Sequence, residues 1–555
     1  MTRQVVSIGI TFDMENAYDT KDLRWIDRSP AAIDFNGPVD VDYDAEAAAL
    51  LEQRGVEAIE RAAARWPERM VLDDGTTRLT YAALMDRVHG LAGRILDATS
   101  PGAVVASLTY NSVAGPIIVL ACTLAGRTMA PIDAGHPLER QQSIWREAGA
   151  QALIVVASEA VDRSFVADGA PVIELDPSAV TGAPRRTEIA DPGAPTFLGF
   201  TSGSTGRPKG VAAGGSGGTG PLRHFIDMFH LNPSDVILGI ASLSTGGSRD
   251  AFAALAVGAR IRIVDVRKGF ADILKVLGEE GITILSFVPS ALRAILAVPG
   301  VEAAFRTLRI LDLHGERILA SDIALFRAKL PATCRISITM GSIEAGPVFS
   351  WFVDDAKIEG ATAPVGYLAP DRRVALVGED GRSVATGEVG ELLVRGPMAL
   401  GAWSDGRLEP GPFLPDPDHP GARIYPMRDL VRQREDGLFE YIGRQDRQVK
   451  IRGQWADLGE IEAAFRAVDA IADVAVITAS QESRGEGDRL VAFVVAAPGA
   501  ELPSISQMRR TVAARTAEHM TPGDIRVLKA IPRLAGHKPD LVRLRQAAQG
   551  EIELP

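Results

Sequence analysis

The residues best suited to chemistry lie in one short segment, residues 200–210, which reads FTSGSTGRPKG. It follows the apolar run 196–200, so it leaves the end of a predicted strand. Glycines let backbone N–H groups turn toward an anion, hydroxyl groups add donors, and a lysine adds a positive charge. We therefore predict a polyphosphate-binding loop that consists of Thr201, Ser202, Gly203, Ser204, Thr205, Gly206 and Lys209.

Two other interpretations of this segment, a flexible linker and a Walker A loop, fit its residues less well than a phosphate loop of another kind. A flexible Gly/Ser linker would not need this order of hydroxyls, glycines and a lysine directly after a strand. A Walker A loop requires Ser or Thr after its lysine, whereas Gly210 follows Lys209 here. The segment is therefore predicted to bind phosphate in a different way from a P-loop.

The elements that must position this loop follow from alternating sequence patterns. Short β-branched runs alternate with helical stretches, which predicts a largely parallel α/β sheet. These runs are 103–108, 152–157, 171–175, 259–265, 282–287 and 308–313. After about residue 364, strands joined by Gly-containing turns indicate an antiparallel, β-barrel-like segment.

The chain has 555 residues, which predicts more than one domain. We expect an aperiodic N-terminal extension at 1–45, a large core at 46–445 that begins with a helix from Ala47 to Trp66, and a small mobile α+β lid at 446–555. The lid is predicted to contain a helix that starts near Leu458, strands at 470–478 and 489–496, then a helix and a last strand at 524–531 that close the chain.

Composition excludes several classes of protein. The net charge of −12 provides no basic surface for nucleic acid or anionic membrane. Two cysteines rule out a disulfide scaffold, which favours a cytoplasmic location.

The uncharged stretch 103–126 contains too many polar residues for a membrane span and is interpreted as strand, turn and buried helix. The N-terminus lacks the pattern of a signal peptide.

The phosphate loop and other segments together resemble the adenylate-forming superfamily, which includes acyl-CoA synthetases, luciferases and the adenylation domains of nonribosomal peptide synthetases. The segment GRQDRQVKIRG makes the peptide-synthetase branch the closest. The further segments that carry the resemblance, in the family's order, are LTYAALMDRV (79–88), LAGRTMAPIDAGHP (124–137), MGSIEAG (340–346), TGEVGELLVRGP (386–397), YPMRDLV (425–431), GRQDRQVKIRGQWADLGEIE (443–462) and IPRLAGHKPD (531–540).

The resemblance implies an acid–thiol ligase that joins a carboxylic acid to ATP, releases pyrophosphate and passes the acyl group to a thiol. It implies ATP and Mg²⁺ as cofactors, Glu344 as the metal ligand, Thr205 and Lys538 as further catalytic residues, and Asp446 as the hinge. Without the motifs, Glu344 and Asp429 would pass for turn or surface residues. The nucleotide-binding set adds to the loop Gly315, Glu316, Met340, Gly341, Ser342, Asp429 and Arg444.

Several positions depart from the family's pattern. Met340 replaces an aromatic residue, Ile343 replaces a hydroxyl residue, and Arg428 replaces a glycine. Asp457 and the pair Gly536-His537 also differ. These departures motivate an alternative hypothesis, a homologue that binds nucleotide or a partner without turnover.

The acyl pocket implied by the resemblance is polar. Its positions are Thr245, Gly246, Arg249, Ser286, Asp312, His314, Thr339, Pro347 and Val348. Amino-acid-activating members of the family carry an aspartate at the position of Thr245. The segment that begins with Arg249 resembles the subset of the family that includes the adenylation domain of aminoadipate reductase. Either Arg249 and Asp312 pair with each other, or Arg249 binds an acidic group of the substrate while Asp312 meets an amine. A long fatty acid is not expected, because it needs an apolar wall.

We therefore predict activation of a small polar carboxylic or amino acid as acyl-AMP. Few residues follow Lys538 and none forms a carrier-domain motif, so the phosphopantetheine thiol is expected from a carrier protein in trans. The alternative enzyme is an acyl-CoA ligase, with coenzyme A as the acceptor.

Overall fold

The structure is a computed structural model that describes residues 20, 22–27, 42–53, 55–188, 193–202, 208–214, 216–245, 248–445, 448–451, 454–481, 486–516, 520–533 and 539–554. The helices within these ranges are α1 (Ala45–Gln53), α2 (Gly55–Arg65), α3 (Tyr81–Ala98), α4 (Ala114–Leu124), α5 (Leu138–Ala148), α6 (Ser216–Phe229), α7 (Ser248–Val257), α8 (Phe270–Glu279), α9 (Pro289–Leu296), α10 (Ala320–Lys329), α11 (Leu458–Arg466), α12 (Ile505–Ala513) and α13 (Leu541–Gln549).

The strands alternate with these helices and then follow one another directly in the second half of the chain. They are β1 (Met70–Asp73), β2 (Arg78–Thr80), β3 (Val104–Thr109), β4 (Thr128–Asp133), β5 (Ala152–Val156), β6 (Val172–Leu175), β7 (Pro195–Ser202), β8 (Pro208–Gly214), β9 (Val236–Gly239), β10 (Arg260–Ile263), β11 (Ile284–Phe287), β12 (Ile310–Leu313), β13 (Arg335–Ser342), β14 (Gly346–Phe352), β15 (Tyr367–Leu368), β16 (Arg373–Val377), β17 (Val389–Arg395), β18 (Gly401–Ser404), β19 (Arg407–Glu409), β20 (Leu414–Pro415), β21 (Arg423–Gln433), β22 (Phe439–Arg444), β23 (Gln448–Ile451), β24 (Gln454–Asp457), β25 (Ile471–Gln481), β26 (Glu486–Ala496) and β27 (Asp524–Leu528).

Two large sheets form the framework of the core. One has the strand order β15-β14-β13-β12-β11-β9-β10-β1-β2, and the other has the order β19-β18-β8-β7-β4-β3-β5-β6. Their central strands run parallel, as the alternating pattern predicts. The largest apolar cluster combines residues of both sheets with residues of α2, α3, α4 and α7, so a layer of helices lies between the sheets. The predicted α/β class and the buried helix after β3 are confirmed.

A smaller antiparallel sheet follows, as the Gly-containing turns predict. Strands β16, β17, β21 and β20 pair in that order, and β22 pairs with β21. The N-terminal extension adds a short bridge to this sheet, since Ile26 pairs with Val374 and the Trp25 ring lies 3.8 Å from the Arg395 guanidinium. Nothing in the composition of residues 1–45 predicts this contact. Residues 1–19, 21 and 28–41 lie outside the described residues.

The C-terminal part contains a β23-β24 hairpin and a three-stranded β25-β26-β27 sheet. The predicted helix at Leu458 and the predicted strands are present. The expectation that a strand closes the chain was wrong, because α13 (Leu541–Gln549) follows it. Asp540 begins this helix by accepting a hydrogen bond from the Arg543 N–H at 3.1 Å.

Two further findings concern the helices and the cysteines. The helix predicted from Ala47 to Trp66 corresponds to α1 and α2, and residue 54 between them lies outside the described residues. Cys122 and Cys334 are both buried, and burial raises the pKa of each thiol to about 12. Both thiols are therefore protonated at neutral pH.

Candidate active site

The predicted phosphate loop connects two paired strands. Strands β7 and β8 are antiparallel, with Thr201 opposite Lys209 and Ser202 opposite Pro208. Since β7 also runs parallel to β4, its last residues reach the carboxyl edge of the sheet, where ligands bind in open α/β sheets. The backbone alone is described for Thr201, Ser202 and Lys209. The loop residues Gly203, Ser204, Thr205 and Gly206 lie outside the described residues.

Glu344 lies in the tight turn between β13 and β14. The Ser342 hydroxyl accepts a hydrogen bond from the Ala345 N–H at 3.1 Å, and the Glu344 carbonyl accepts one from the Ala399 N–H at 2.7 Å. A Cβ at Gly341 would lie 2.1 Å from the Gly346 carbonyl oxygen, so only glycine permits this close approach. The turn therefore holds the backbone of Glu344 in a defined position.

A tyrosine that the sequence did not single out lies beside the Glu344 side chain. The charge of the Glu344 carboxylate acts on the Tyr425 hydroxyl, and the Tyr425 ring lies 5.2 Å from the ring of Phe413. Burial, followed by the negative charge of Glu344, raises the pKa of Tyr425 above its usual range. The available signal was its place as first residue of the YPMRDLV segment.

Two further predicted residues meet beside Tyr425. Asp429 on β21 lies opposite Arg444 on β22, and Arg444 Nη1 is 3.4 Å from Asp429 Oδ1. Asp429 is only 5% exposed. Charges on both residues act on the Tyr425 hydroxyl. The structure thus brings Glu344, Asp429 and Arg444 together around one tyrosine, although they lie in separate motifs.

Three of the departures from the family's pattern have distinct structural settings. Met340 packs beside the apolar cluster that contains Phe349 and Phe439. Ile343 packs in a second cluster with Val211, Met398, Ala399 and Phe413, so its side chain contributes to the core. Arg428 has φ of +60°, the left-handed region that glycine adopts without strain.

Gly315 and Glu316 stand just after β12, next to the start of α9. Gly315 has φ of +79°, and the Glu316 carboxylate accepts hydrogen bonds from the Ser290 N–H at 3.0 Å and the Ser290 hydroxyl at 2.7 Å. Both oxygens of Glu316 thus interact with the first turn of a helix. The predicted role of these two residues in nucleotide binding stays a prediction.

Among the residues of the predicted acyl pocket, the structure brings three together and adds a fourth, Ser337. Asp312 Oδ1 accepts hydrogen bonds from the Ser337 hydroxyl at 2.8 Å and the Thr339 hydroxyl at 2.9 Å. Its Oδ2 accepts one from Ser286 at 3.2 Å. Burial raises the pKa of Asp312 above its usual range, and nearby His314 opposes this shift. Ser337 was not predicted, although it lies two residues before Thr339 and so shares its face of β13.

The structure describes the other predicted pocket residues only in part. Thr245 ends a short 3₁₀ helix, Leu243–Thr245, and Arg249 lies in α7; the backbone alone is described for both, and Gly246 lies outside the described residues. Because the Arg249 side chain lies outside the described part of the structure, its pairing with Asp312 stays a prediction. Pro347 and Val348 begin β14, and Val348 is buried in the cluster with Phe349.

The two residues predicted to act from the small domain, Lys538 and the hinge residue Asp446, lie outside the described residues. Next to Lys538, Pro539 pairs with Arg533 in an isolated bridge, and Arg533 lies 2.6 Å from Asp473 of β25. These contacts attach the chain beside Lys538 to the C-terminal sheet.

Glu344 is the residue of this site that is predicted to ligate a metal ion. Within the described ranges, groups of three or more His, Cys, Asp or Glu side chains able to hold a metal are absent. Glu344 is partly exposed and supplies hard oxygen atoms, which suits Mg²⁺ that keeps several waters and phosphate oxygens as its other ligands. The residues present therefore fit the ion.

Two protein-family profiles match the chain. The sequence profile of the family described as "AMP-binding enzyme" matches residues 59–402, and that of the "AMP-binding enzyme C-terminal domain" matches residues 460–538. The chain belongs to the AMP-binding enzyme family. This confirms the predicted resemblance and, with it, the predicted class of enzyme, an adenylate-forming ligase.

The curated relatives include a tripeptide synthetase and an oxazoline synthase. The chain is 34% identical over 505 residues to phosphinothricin tripeptide synthetase PhsB of Streptomyces viridochromogenes, covering 88% of this chain and 41% of the relative. It is 29% identical over 501 residues to phenyloxazoline synthase MbtB of a Mycobacterium species, covering 89% of this chain and 41% of the relative. The chain thus spans about two fifths of the length of these relatives.

Solved structures share the fold. Klebsiella oxytoca NpsA in complex with 3-hydroxyanthranilyl-AMSN superposes with a TM-score of 0.72 at 21% identity, covering 90% of this chain and 99% of that one. The anthranilate CoA ligase AuaEII in complex with anthranoyl-AMP gives a TM-score of 0.76 at 19% identity, covering 90% and 98%. In the described part of the chain, every helix is too short or too polar to cross a membrane.

Proposed function

We propose that this adenylate-forming enzyme activates a small polar carboxylic or amino acid as acyl-AMP and passes the acyl group to a phosphopantetheine thiol. The observation that supports this most is the convergence of Glu344, Asp429 and Arg444 around Tyr425. The peptide synthetases among the relatives favour a carrier protein in trans as the acceptor. A reduced thiol acceptor suits the cytoplasm, which is the compartment that we propose.

In the first step, an oxygen of the substrate carboxylate forms a bond to the α-phosphorus of ATP, and the bond from that phosphorus to the pyrophosphate oxygen breaks. This displacement depends on positioning and charge neutralisation. The loop 201–209 would hold the β- and γ-phosphates, Asp429 would accept hydrogen bonds from the ribose hydroxyls, and Lys538 would bridge the carboxylate and ATP. Mg²⁺, when bound by Glu344, would neutralise phosphate charge.

In the second step, a thiolate attacks the acyl carbonyl carbon, a thioester bond forms, and AMP leaves with the electrons of the acyl–phosphate bond. A cation on a mobile domain can be inserted for one half-reaction and withdrawn for the next. We propose this use for Lys538, with Asp446 as the hinge.

The direct test is ATP–pyrophosphate exchange over a panel of amino, hydroxy and dicarboxylic acids, with hydroxamate trapping of the acyl-adenylate. We expect exchange with at least one polar acid, and at least a tenfold loss in the Glu344→Gln variant, which keeps the size of the side chain. Binding of ATP without exchange for any acid would contradict the proposal and support the non-catalytic homologue that Ile343 and Arg428 suggest.

The acceptor needs a separate assay. Thioester formation with phosphopantetheinylated carrier protein is compared with thioester formation with coenzyme A at equal thiol concentration. We expect faster transfer to the carrier protein. Faster transfer to coenzyme A would support the acyl-CoA ligase, which the fold likeness to a CoA ligase keeps as the second candidate.

A further inference from the structure

Strand β22 contains one extra residue close to its end. Val431 of β21 pairs with Tyr441 of β22, but the preceding residue of β21, Leu430, pairs with Gly443. Ile442 is therefore inserted between two paired positions, and the strand forms a β-bulge there. Bulges are frequent next to active sites, where they change the direction of a side chain.

The bulge decides which face of β22 carries Arg444. Asp429 and Val431 are two residues apart on β21 and therefore share a face. Their partners on β22 are Arg444 and Tyr441, in that order. Arg444 and Tyr441 are three residues apart, a spacing that puts two side chains on opposite faces of a regular strand. They share a face here because Ile442 is inserted between them.

The shared face is the one that carries the proposed nucleotide site. Tyr441 and Tyr425 pack against the same apolar cluster, and the charge of Arg444 acts on the Tyr425 hydroxyl. Without the extra residue, Arg444 would lie on the opposite face with Glu440. There the Glu440 carboxylate accepts hydrogen bonds from Arg432 at 2.6 and 2.8 Å. The bulge therefore puts the Arg444 guanidinium beside the proposed nucleotide site.

An arginine that follows β12 interacts with this bulge. Arg317 donates a hydrogen bond through Nη2 to the Ile442 carbonyl, and its guanidinium lies 5.3 Å from the centre of the Tyr441 ring. A hydrogen bond from a charged donor is stronger than one between neutral groups, and a cation at this distance is attracted to an aromatic ring. Arg317 thus contacts both the extra residue and the residue before it.

The chain around Arg317 is fixed to the rest of the core on both sides. The preceding residue, Glu316, accepts hydrogen bonds from Ser290 at the start of α9. The following residue, Ile318, is buried, and its carbonyl accepts a hydrogen bond from the Ala363 N–H at 2.9 Å. A side chain holds a neighbouring group most precisely when its own backbone is restrained. Arg317 therefore connects a restrained segment of the core to β22.

We propose that Arg317 is a positioning residue for nucleotide binding, which holds the Ile442 bulge and so keeps Arg444 beside Asp429. The proposal rests on the proposed function, in which Asp429 and Arg444 bind the nucleotide. Because Arg317 acts through the strand, its loss weakens ATP binding only as far as Arg444 contributes to that binding. The affinity for the acid does not depend on this contact.

The experiment is a double-mutant cycle in which titration calorimetry measures the Kd for ATP with Mg²⁺ present. The proteins are the wild type, Arg317→Ala, Arg444→Ala and the double variant. We expect each single variant to raise Kd about tenfold, since each loses a hydrogen bond that involves a charged group. The double variant should bind no more than about twofold more weakly than Arg444→Ala. In the exchange assay, KM for ATP should rise in parallel, while KM for the acid stays within about twofold.

Further variants separate positioning from general destabilisation. Arg317→Lys keeps a charged donor for the Ile442 carbonyl and should keep Kd within about threefold of the wild type. If Arg317→Ala does not fold, Arg317→Gln replaces it in the cycle with the same expected coupling. Arg434 is the matched control, because it also donates to a backbone carbonyl, that of Lys357 at 2.9 Å, at the other end of the β21-β22 hairpin. Arg434→Ala should bind ATP like the wild type.

Several results would overturn the inference. If the effects of Arg317→Ala and Arg444→Ala multiply in the double variant, Arg317 acts independently of Arg444. An unchanged Kd in Arg317→Ala, or an equal rise in Arg434→Ala, would also remove Arg317 from this role. If Arg444→Ala binds ATP as tightly as the wild type, the nucleotide role of Arg444 and the inference fail together. Calorimetry needs no turnover, so a wild type that exchanges with no acid would contradict the proposed function and leave this test in force.

Discussion

The hydroxyl of Tyr425 on β21 is close enough to the carboxylate of Glu344, in the β13-β14 turn, for the two groups to interact electrostatically, so this pair links the antiparallel sheet to the nine-stranded sheet. The backbone of Glu344 is held independently, because its carbonyl accepts a hydrogen bond from the Ala399 N–H. The proposed metal ligand therefore has a fixed backbone and a polar side-chain neighbour from a second sheet.

Replacing Tyr425 with phenylalanine keeps the ring against Phe413 and removes only the hydroxyl beside Glu344. Because a hydrogen bond from this hydroxyl to the charged carboxylate would contribute about 1.5–3 kcal/mol, we expect the Mg²⁺ concentration for half-maximal exchange to rise about tenfold. Binding of Mn²⁺ to the ATP complex, followed by electron paramagnetic resonance, should weaken in parallel. Tyr367→Phe is the control, since the Tyr367 hydroxyl interacts with Lys357. Unchanged metal dependence would remove Tyr425 from this role.

The Lys538→Ala variant should abolish acyl-adenylate formation and leave ATP binding largely intact, because the lysine is proposed to act between substrate and nucleotide. Exchange measures the first property, and calorimetric titration with ATP measures the second. Lys529→Ala removes a lysine of the same part of the chain and serves as the comparison. Exchange at the wild-type rate without Lys538 would reject the assignment.

The left-handed backbone at Arg428 predicts an effect on stability. A non-glycine residue in this region costs about 1–2 kcal/mol, so Arg428→Gly should be more stable than Arg428→Ala by about 1 kcal/mol. Both variants lose the same side-chain contacts, and the difference in their free energies of unfolding in urea therefore reports on the backbone. Equal stability of the two variants would show that the conformation carries no strain.

Asp312 should make stability depend on pH in a definite direction. Its pKa is raised in the folded state, so the ionised carboxylate destabilises the fold at neutral pH, and this cost disappears once the group is protonated in both states. Asp312→Asn should therefore melt at a higher temperature than the wild type at pH 7, and the difference should shrink below about pH 4. A variant that melts lower at pH 7 would contradict this sign.

The contact between Trp25 and Arg395 predicts that the N-terminal segment stabilises the antiparallel sheet. Since cation–π contacts contribute about 0.5–2 kcal/mol, Trp25→Ala should lower the free energy of unfolding by about 1 kcal/mol and speed proteolysis near residue 27. Trp25→Phe keeps an aromatic face and should lose less. Identical proteolysis of all three proteins would mean that this segment contributes no stability.

Much of the framework was predictable because its signals are local. The β-branched runs at 152–157 and 308–313 became β5 and β12, since a short apolar run suits a buried parallel strand. Glu344, Asp429 and Arg444 were predicted from motifs, and their meeting around Tyr425 agrees with that. The helix α13 was not predicted, because nine residues carry only a short amphipathic pattern.

Contacts between distant residues could not be predicted from the sequence. His224 and Ser350 are 126 residues apart and meet only because α6 crosses the sheet beside β14. The hydrogen bond from Ser337 to Asp312 could not be predicted either, because it depends on the register in which β13 pairs with β12. Periodicity predicts which face of a strand a residue occupies, but it does not predict which strand becomes its neighbour.

The burial of Cys122 and Cys334 has a consequence for an enzyme that delivers acyl groups to sulfur. Neither native sulfur can compete as an internal acceptor, so an activated acyl group would wait for a thiol from outside. For the same reason, a cysteine introduced on the surface of the C-terminal part would be the main site for a maleimide dye. Fluorescence could then follow that part through the catalytic cycle with both native cysteines retained.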